Sequence, residues 1–468
     1  MIADSLSAFR LGDVRGIYPS EINEDFVHRF AGAFAEEFNV SNGVAIGRDM
    51  RQSSVSLQNA LADGFLERGL NVLDLGLCTT ELGYFASAAL TGIEATIIVT
   101  ASHNPGQYNG LKCVLRNGEA VTFNTGLSSV MARMQTGAGK PVANKGRITL
   151  FDMQPDYIRY LHTQFRSRIT VPGEIALNGL NGTAATLAVS IADQFEIPVT
   201  WFRKEPGPIP LEGADPTNPR LVTEMQSFMN GGKFCLGVAW DGDCDRCVFF
   251  DDNGNLIPSY YVVGLLAEHF LTKHPGRAIV FDTKLCWNTL DVINQHHGIA
   301  VPSETGHAFV KQKMRSHNAI YGGELSSHHF FGNFFYCDSG MYAWLTALEI
   351  IGSSKETIGE LVQKRREKFY CTPELSFKVS HTAELFSSIE KRFGKLAIAF
   401  DDFDGPSFEM PGGWRFSLRQ SKTEPLVRLN FESKGERQRL LDNASEVLGA
   451  LEPFLTEDID LASRLVIQ

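Results

Sequence analysis

The sequence predicts an α/β protein of several domains that closes with a smaller α+β unit. Three observations carry this reading. The chain has 468 residues, more than one hydrophobic core holds, which points to about three or four domains. Short β-branched apolar runs alternate with helically spaced stretches through most of the chain, the rhythm of parallel strands joined by crossover helices. Near the C-terminus that rhythm gives way to paired strand signals, which predict an antiparallel sheet.

Composition narrows the functional classes. Hydrophobic residues make up 43% and charged residues 21% of the chain, as in a soluble globular protein. No apolar run reaches the roughly 18 residues of a membrane helix. Met1-Ile2-Ala3-Asp4-Ser5 lacks the charged and apolar regions of a secretion signal, so a cytoplasmic location is expected. A net charge of −11 argues against nucleic acid or an anionic membrane as partner. Any site for an anionic substrate must therefore gather Arg and Lys locally. Of the 8 cysteines, only Cys244 and Cys247 have C-x-x-C spacing, and no second pair completes a zinc site. Val248-Phe249-Phe250 reads as a strand where a redox motif would open a helix, so reduced, mostly buried thiols are expected.

In chain order, Gly43-Val44-Ala45-Ile46 reads as a strand running into Gly47-Arg48-Asp49. Ser54 to Gly69 has helical spacing, with Leu57, Leu61, Phe65 and Leu66 on one face. Asn71 to Leu75 and Ala95-Thr96-Ile97-Ile98-Val99 are the next strands. A Gly- and Lys-bearing link from Thr136 marks a boundary, and a second unit begins near Tyr157. There Glu174 to Leu177 feeds the tight turn Asn178 to Thr183 and a helix from Ala184 to Ala192. Cys235 to Ala239 is a strand, and Asn253-Gly254 between Val248-Phe249-Phe250 and Leu256-Ile257 signals a hairpin. A third unit opens with a helix from Ser259, continues with a strand from Ala278 to Asp282 and closes after a helix ending near Phe369, with Thr372-Pro373 as linker. In the last unit, Trp414 to Leu418 and Leu426 to Asn430 are expected as antiparallel neighbours.

Four polar stretches carry chemistry. Thr100-Ala101-Ser102-His103-Asn104-Pro105 follows a buried strand, where sheets of this type present their reactive groups. Asp241, Asp243 and Asp245 are spaced by two in an extended loop, so alternate carboxylates turn to one side and repel unless a hard cation lies between them. An EF-hand would place Gly where Arg246 stands and continue as a helix, so Mg²⁺ is the better fit, with Arg246 beside it to grip phosphate. Glu324 and Ser326, spaced by two, suit a sugar diol. Arg419, Ser421 and Thr423, alternating with Gln420 and Lys422, suit a phosphate nest. Lys112 follows the serine closely, and an amine among other cations is expected to have a lowered pKa.

In this order the four stretches resemble the α-D-phosphohexomutase superfamily, nearest to the bacterial phosphomannomutases, from Phe9 to about Ser433. The resemblance implies four domains, residues 1–146, 147–257, 258–371 and 372–468. Three would be related α/β domains with mixed, mostly parallel sheets around a central cleft. The fourth would be a C-terminal α+β domain with an antiparallel sheet. It implies that Ser102 is phosphorylated at rest and completes a Mg²⁺ site with Asp241, Asp243 and Asp245. Lys112, His103, Arg246 and His328 would be catalytic, His328 rather than its neighbour His329. Arg15, Lys284, His307, Glu324, Ser326, Arg419, Ser421, Lys422 and Thr423 would hold substrate, with Lys311 near His307. In the family's N-terminal loop an aromatic normally stands where Gly12 stands here.

The activity implied is interconversion of mannose 6-phosphate and mannose 1-phosphate through a bound hexose 1,6-bisphosphate, which also serves as activator. The alternatives are a phosphoglucomutase or dual-specificity phosphohexomutase, a non-catalytic sugar-phosphate binding protein, and a metal-dependent phosphatase. The partners implied are hexose phosphates, with the chain as monomer or homodimer.

Overall fold

Alternation of short buried strands with amphipathic helices builds the first sheet. The computed structural model describes residues 6–137, 142–165, 169–421 and 426–456. Contacts divide the chain into two compact units. The first comprises Met1–Ile257, Met314–Asn318 and Ser327–Ile358; the second comprises Pro258–Lys313, Ala319–Ser326 and Gly359–Gln468.

In the first unit, strand Gly43–Arg48 lies between Asn71–Leu77 and Ile93–Val99, parallel to both. Tyr108–Leu115 adds antiparallel to Ile93–Val99, and Val14–Ile17 antiparallel to Tyr108–Leu115. Residues 46–48 and 97–99 run side by side, so the chain leaves two adjacent parallel strands at Asp49 and Thr100. Helix Ser54–Leu66 buries Leu57, Leu61 and Phe65, one turn apart, as the spacing predicts. Helix Glu24–Glu37 is capped by Asn23, whose side chain accepts from Phe26 N. It buries Phe26, Phe30 and Phe34 in the same core.

The second sheet of this unit places Phe234–Trp240 parallel to Glu174–Asn178 and antiparallel to Cys247–Phe250. The carboxyl end of Phe234–Trp240 is thus the root of the Asp241 loop. The Asn253-Gly254 turn joins Cys247–Phe250 to Leu256–Ile257, with Gly254 at φ +77° where a side chain would be strained. The turn from Asn178 to Thr183 is structural: Thr183 N and Oγ1 donate to Gly242 O at 2.9 and 3.2 Å, bracing the acidic loop from below.

In the second unit, Ala278–Asp282 lies between Ile299–Ser303 and Tyr321–Gly323, parallel to both. Its other sheet is antiparallel, with Trp414–Gln420 paired along Leu426–Lys434 as expected. One boundary differs from the sequence reading. The helix Ile358–Arg366 stops before Phe369, and Phe369–Cys371 pairs with Leu426–Lys434 as a strand. Three residues of alternating apolar character sit there, too short a run to separate from a helix end by periodicity. All eight cysteines are free thiols, seven of them buried. No helix among the described residues is long and apolar enough to cross a membrane.

Candidate phosphoryl-transfer and sugar-phosphate sites

Ser102 and the acidic loop, 139 residues apart, meet in the first unit: Ser102 Oγ donates to Asp241 Oδ2 at 2.7 Å. Both are buried, as are Asp243 and Asp245. The three aspartates bring carboxylate oxygens within 4.8 Å of one another. Burial, then Asp245 and Asp243, push the Asp241 carboxyl well above its usual range. Burial would raise Asp245 too, but Lys112 and His328 hold it well below. Asp243 Oδ1 and Asp245 Oδ1 are buried without a hydrogen bond. Oxygen donors gathered and left unsatisfied in this way fit a small hard cation.

The surrounding groups fix this cluster. Thr80, at the start of helix Thr80–Ala89, donates from Oγ1 to Asp243 Oδ2 at 2.6 Å and from its N–H to Asp243 O at 2.9 Å. Lys112 Nζ donates to the same Oδ2 at 2.7 Å and also pairs with Asp245 Oδ2. The lowered pKa expected for Lys112 is thereby overturned. Burial works against its charge, but Asp243 and Asp245 outweigh it and hold the amine well above its ordinary value. Spacing along the chain put Lys112 near cations; its partners in space are carboxylates.

His103 Nδ1 lies 3.2 Å from Ser102 Oγ. Burial, then Arg246 and Arg15, depress the imidazole well below its usual range, so it is neutral at pH 7. Arg15 reaches the serine loop through Asn104 Oδ1 at 2.8 Å and pairs with Asp13. Arg246 N donates to Asp241 Oδ1 at 3.2 Å, and Arg246 Nε lies 3.4 Å from His328 Nε2. His328 also lies 3.4 Å from Asp245 Oδ1 and 3.9 Å from Asp338 Oδ2. Its neighbour His329 is pushed down to about 3 by burial and then by His328. The pair therefore divides into one histidine at the acidic cluster and one neutral core histidine.

The second unit carries another set. Glu324 is buried and its Oε1 accepts from Gly306 N at 2.7 Å, joining the Glu324 loop to Thr305-Gly306-His307. Ser326 and His307 are half-buried, and Lys311 is buried. Thr305 donates from N and Oγ1 to Asp404 Oδ2 at 3.0 and 2.7 Å, and Arg419 Nε lies 4.0 Å from the same oxygen. Arg419 and Ser421 are buried at the end of strand Trp414–Gln420. Lys284 Nζ is buried between Asp282 Oδ2 at 3.7 Å and Glu374 Oε2 at 3.6 Å. Lys422 and Thr423 lie outside the described residues.

Sequence reasoning passed over Asp49, Arg51, Thr80, Asp338 and Asp404. Asp49 and Arg51 carried one usable signal, an acid and a base two apart just past a buried strand. Thr80 and Asp404 act through partners far along the chain, which spacing does not reveal, and Asp338 meets His328 only through the fold.

The description "Phosphoglucomutase/phosphomannomutase, alpha/beta/alpha domain I" matches residues 6–137, and the domain III description of the same family matches residues 258–369. A phosphomannomutase of Vibrio cholerae serotype O1 is 36% identical over 453 residues, covering 94% of this chain and 97% of the relative. The chain belongs to the phosphoglucomutase/phosphomannomutase family. A phosphomannomutase of Escherichia coli K12 is 38% identical over 92% of this chain and 96% of its own. "Phosphohexose mutases" of Xanthomonas campestris pv. campestris are 38% identical over 96% of this chain and 99% of theirs. Among solved structures, a family member from Burkholderia thailandensis superposes with a TM-score of 0.84 at 27% identity, covering 96% of this chain and 99% of that one. Like the phosphomannomutases it matches, the protein is a phosphohexomutase, an isomerase of carbohydrate metabolism.

Proposed function

We propose that the protein is a phosphomannomutase that interconverts mannose 6-phosphate and mannose 1-phosphate. Ser102 carries a phosphoryl group at rest and passes it to the free hydroxyl of the bound sugar phosphate. The hexose 1,6-bisphosphate so formed turns over and returns its other phosphoryl group to Ser102. The same bisphosphate, added free, primes an unphosphorylated enzyme. The observation that carries this reading is the 2.7 Å contact of Ser102 Oγ with Asp241. A solvated acidic turn would not bury three carboxylates against one serine.

Asp241, Asp243, Asp245 and the phosphate on Ser102 would hold Mg²⁺, which when bound polarises phosphorus and neutralises charge on the leaving oxygen. Lys112 stays charged and acts as a fixed cation at the aspartates. Neutral His103 orients the serine oxygen. His328 lies between Arg246 and two aspartates, where it takes part in the transfer at the acidic loop. In the second unit Glu324 and Ser326 bind sugar hydroxyls. Lys284, His307, Arg419, Ser421, Lys422 and Thr423 bind phosphate there, and in the first unit Arg15 binds phosphate. We assign these roles to four domains with the boundaries 1–146, 147–257, 258–371 and 372–468.

A second reading extends the substrate to glucose phosphates, and the family description together with the Xanthomonas "phosphohexose mutases" favours it. Purified protein in Mg²⁺ with a trace of hexose bisphosphate is assayed on mannose 1-phosphate and glucose 1-phosphate at matched concentrations. Faster turnover of the mannose compound is expected, and equal or faster turnover of the glucose compound establishes the second reading. Release of inorganic phosphate without isomerisation would mark a phosphatase. Absence of any Mg²⁺-dependent turnover would mark a binding protein.

A further inference from the structure

Ser102 adopts a backbone conformation that serine rarely takes, with φ at +52° in the left-handed region. What holds it there is a charge pair that touches no reacting group. The side chains of Arg51 and Asp49 are both completely buried. Arg51 Nε donates to Asp49 Oδ2 at 2.9 Å. Its Nη1 donates to Pro105 O at 2.7 Å and Tyr108 O at 2.9 Å. Its Nη2 donates to Ser102 O at 2.8 Å and Asn104 O at 2.7 Å. A guanidinium has five N–H donors, and all are taken by the protein. Arg51 therefore has none left for phosphate.

Asp49 closes the other side. Its Oδ2 accepts from Thr100 Oγ1 at 2.8 Å, and its Oδ1 from Ser54 Oγ at 2.5 Å and Arg51 N at 3.0 Å. Thr100 Oγ1 in turn accepts from Ser102 N at 2.9 Å. Both polar groups of the Ser102 backbone, N–H and C=O, are thus led back to one buried ion pair. That pair is rooted where strand Gly43–Arg48 ends beside strand Ile93–Val99. A surface loop would be free to relax out of the left-handed region; this one is held by bonds from a packed sheet.

We propose that the Asp49–Arg51 pair is the positioning device of the phosphoryl carrier: it holds Ser102 left-handed and so aims Oγ at the three aspartates. Arg51 is a positioning residue, contacting neither phosphate nor sugar. The proposal rests on the phosphoserine reading above.

The test uses full-length Arg51→Lys beside wild type, both incubated with hexose 1,6-bisphosphate and Mg²⁺. Lysine keeps the charge but offers three donors for five bonds. The readouts are kcat and KM for mannose 1-phosphate, Ser102 phosphorylation by intact mass, the ³¹P resonance of the phosphoserine, and the melting temperature. The expected result is a kcat reduced about 10²-fold per phosphorylated enzyme, as for a reacting group displaced by about 1 Å, with KM little changed and the ³¹P resonance shifted. A merely structural role predicts a lower melting temperature with kcat per phosphorylated enzyme and the ³¹P resonance unchanged, and that outcome overturns the proposal. Should Arg51→Lys fail to fold, Thr100→Val removes only the hydroxyl between Asp49 and Ser102 N. It is expected to lower kcat about tenfold, and an unchanged kcat would likewise overturn the proposal. Wild-type protein that turns over without phosphate on Ser102 defeats the phosphoserine reading instead, so the two failures are told apart.

Discussion

The two units hold their candidate site residues differently. In the first, the side chains of Lys112, Thr80 and Ser102 bond directly to the aspartates, Arg246 does so through its backbone N–H, and Arg51 spends every donor on the serine loop. The groups are buried, closely paired and held by several chain segments at once. In the second, Arg419 stands 4.0 Å from Asp404 and its buried Nε makes no hydrogen bond within the described residues. Lys284 likewise keeps 3.6 and 3.7 Å from its two carboxylates. Phosphoryl transfer rewards positions fixed before the ligand arrives, because a misplacement of about 1 Å at the reacting atom can cost about 10²-fold in rate. Groups that grip a non-reacting phosphate or a hydroxyl tolerate looser settings, which the ligand itself tightens.

This contrast predicts that damage to the first unit lowers kcat and damage to the second raises KM. The largest effect is expected for Asp243→Asn. It should lower kcat on the order of 10²-fold or more and raise the Mg²⁺ concentration needed for half-activity, measured by titrating the metal after chelation. Wild type stripped by a chelator should lose activity and regain it with Mg²⁺. Next comes Arg419→Lys, which should raise KM for mannose 1-phosphate about tenfold with a smaller change in kcat, because a point charge replaces a planar fork. Glu324→Gln should behave similarly, at about tenfold or less, since one acceptor for a sugar hydroxyl is weakened. If either second-unit variant instead cuts kcat as deeply as Asp243→Asn, the contrast fails.

The last prediction concerns stability. Glu81 is buried in the first unit, accepting from Met341 N at 3.2 Å and from Ser339 Oγ. Burial, reinforced by Asp338, pushes its carboxyl up from 4.5 to about 8. The folded state then keeps a proton that the unfolded chain releases at the ordinary value. The stability contributed is therefore complete below about pH 4.5 and is lost as pH rises to about 8, with a slope of up to about 1.4 kcal/mol per pH unit between. Urea unfolding of wild type across pH 5 to 8 should show more of this decline than Glu81→Gln, which holds no such proton; parallel curves would refute it.

Much of this organisation was legible beforehand because it rests on local signals. The strand ending at Val99 and the hairpin at Asn253-Gly254 follow from apolar runs and turn residues. The Asp241 loop stands out in the sequence because three carboxylates spaced by two are hard to explain without a cation. What escaped were residues whose meaning is set by distant partners. Lys112 reads as one cation among others until Asp243 and Asp245 are seen beside it, and its charge is then stabilised rather than weakened. Arg51 looks like a surface arginine near a helix start; only the folded sheet shows four carbonyls converging on it. Phe369–Cys371 escaped because its pairing partner lies more than fifty residues further on.

The proposed turnover depends most on the phosphate residing on Ser102 and moving from there to sugar. Enzyme phosphorylated with labelled hexose bisphosphate, freed of excess ligand and mixed with unlabelled mannose 1-phosphate in Mg²⁺, tests this in one turnover by rapid quench. Label should leave a peptide containing Ser102 and appear in hexose bisphosphate at least as fast as steady-state turnover, with no label taken up by Ser102→Ala. Label found on another residue, or isomerisation by Ser102→Ala at the wild-type rate, would contradict the account.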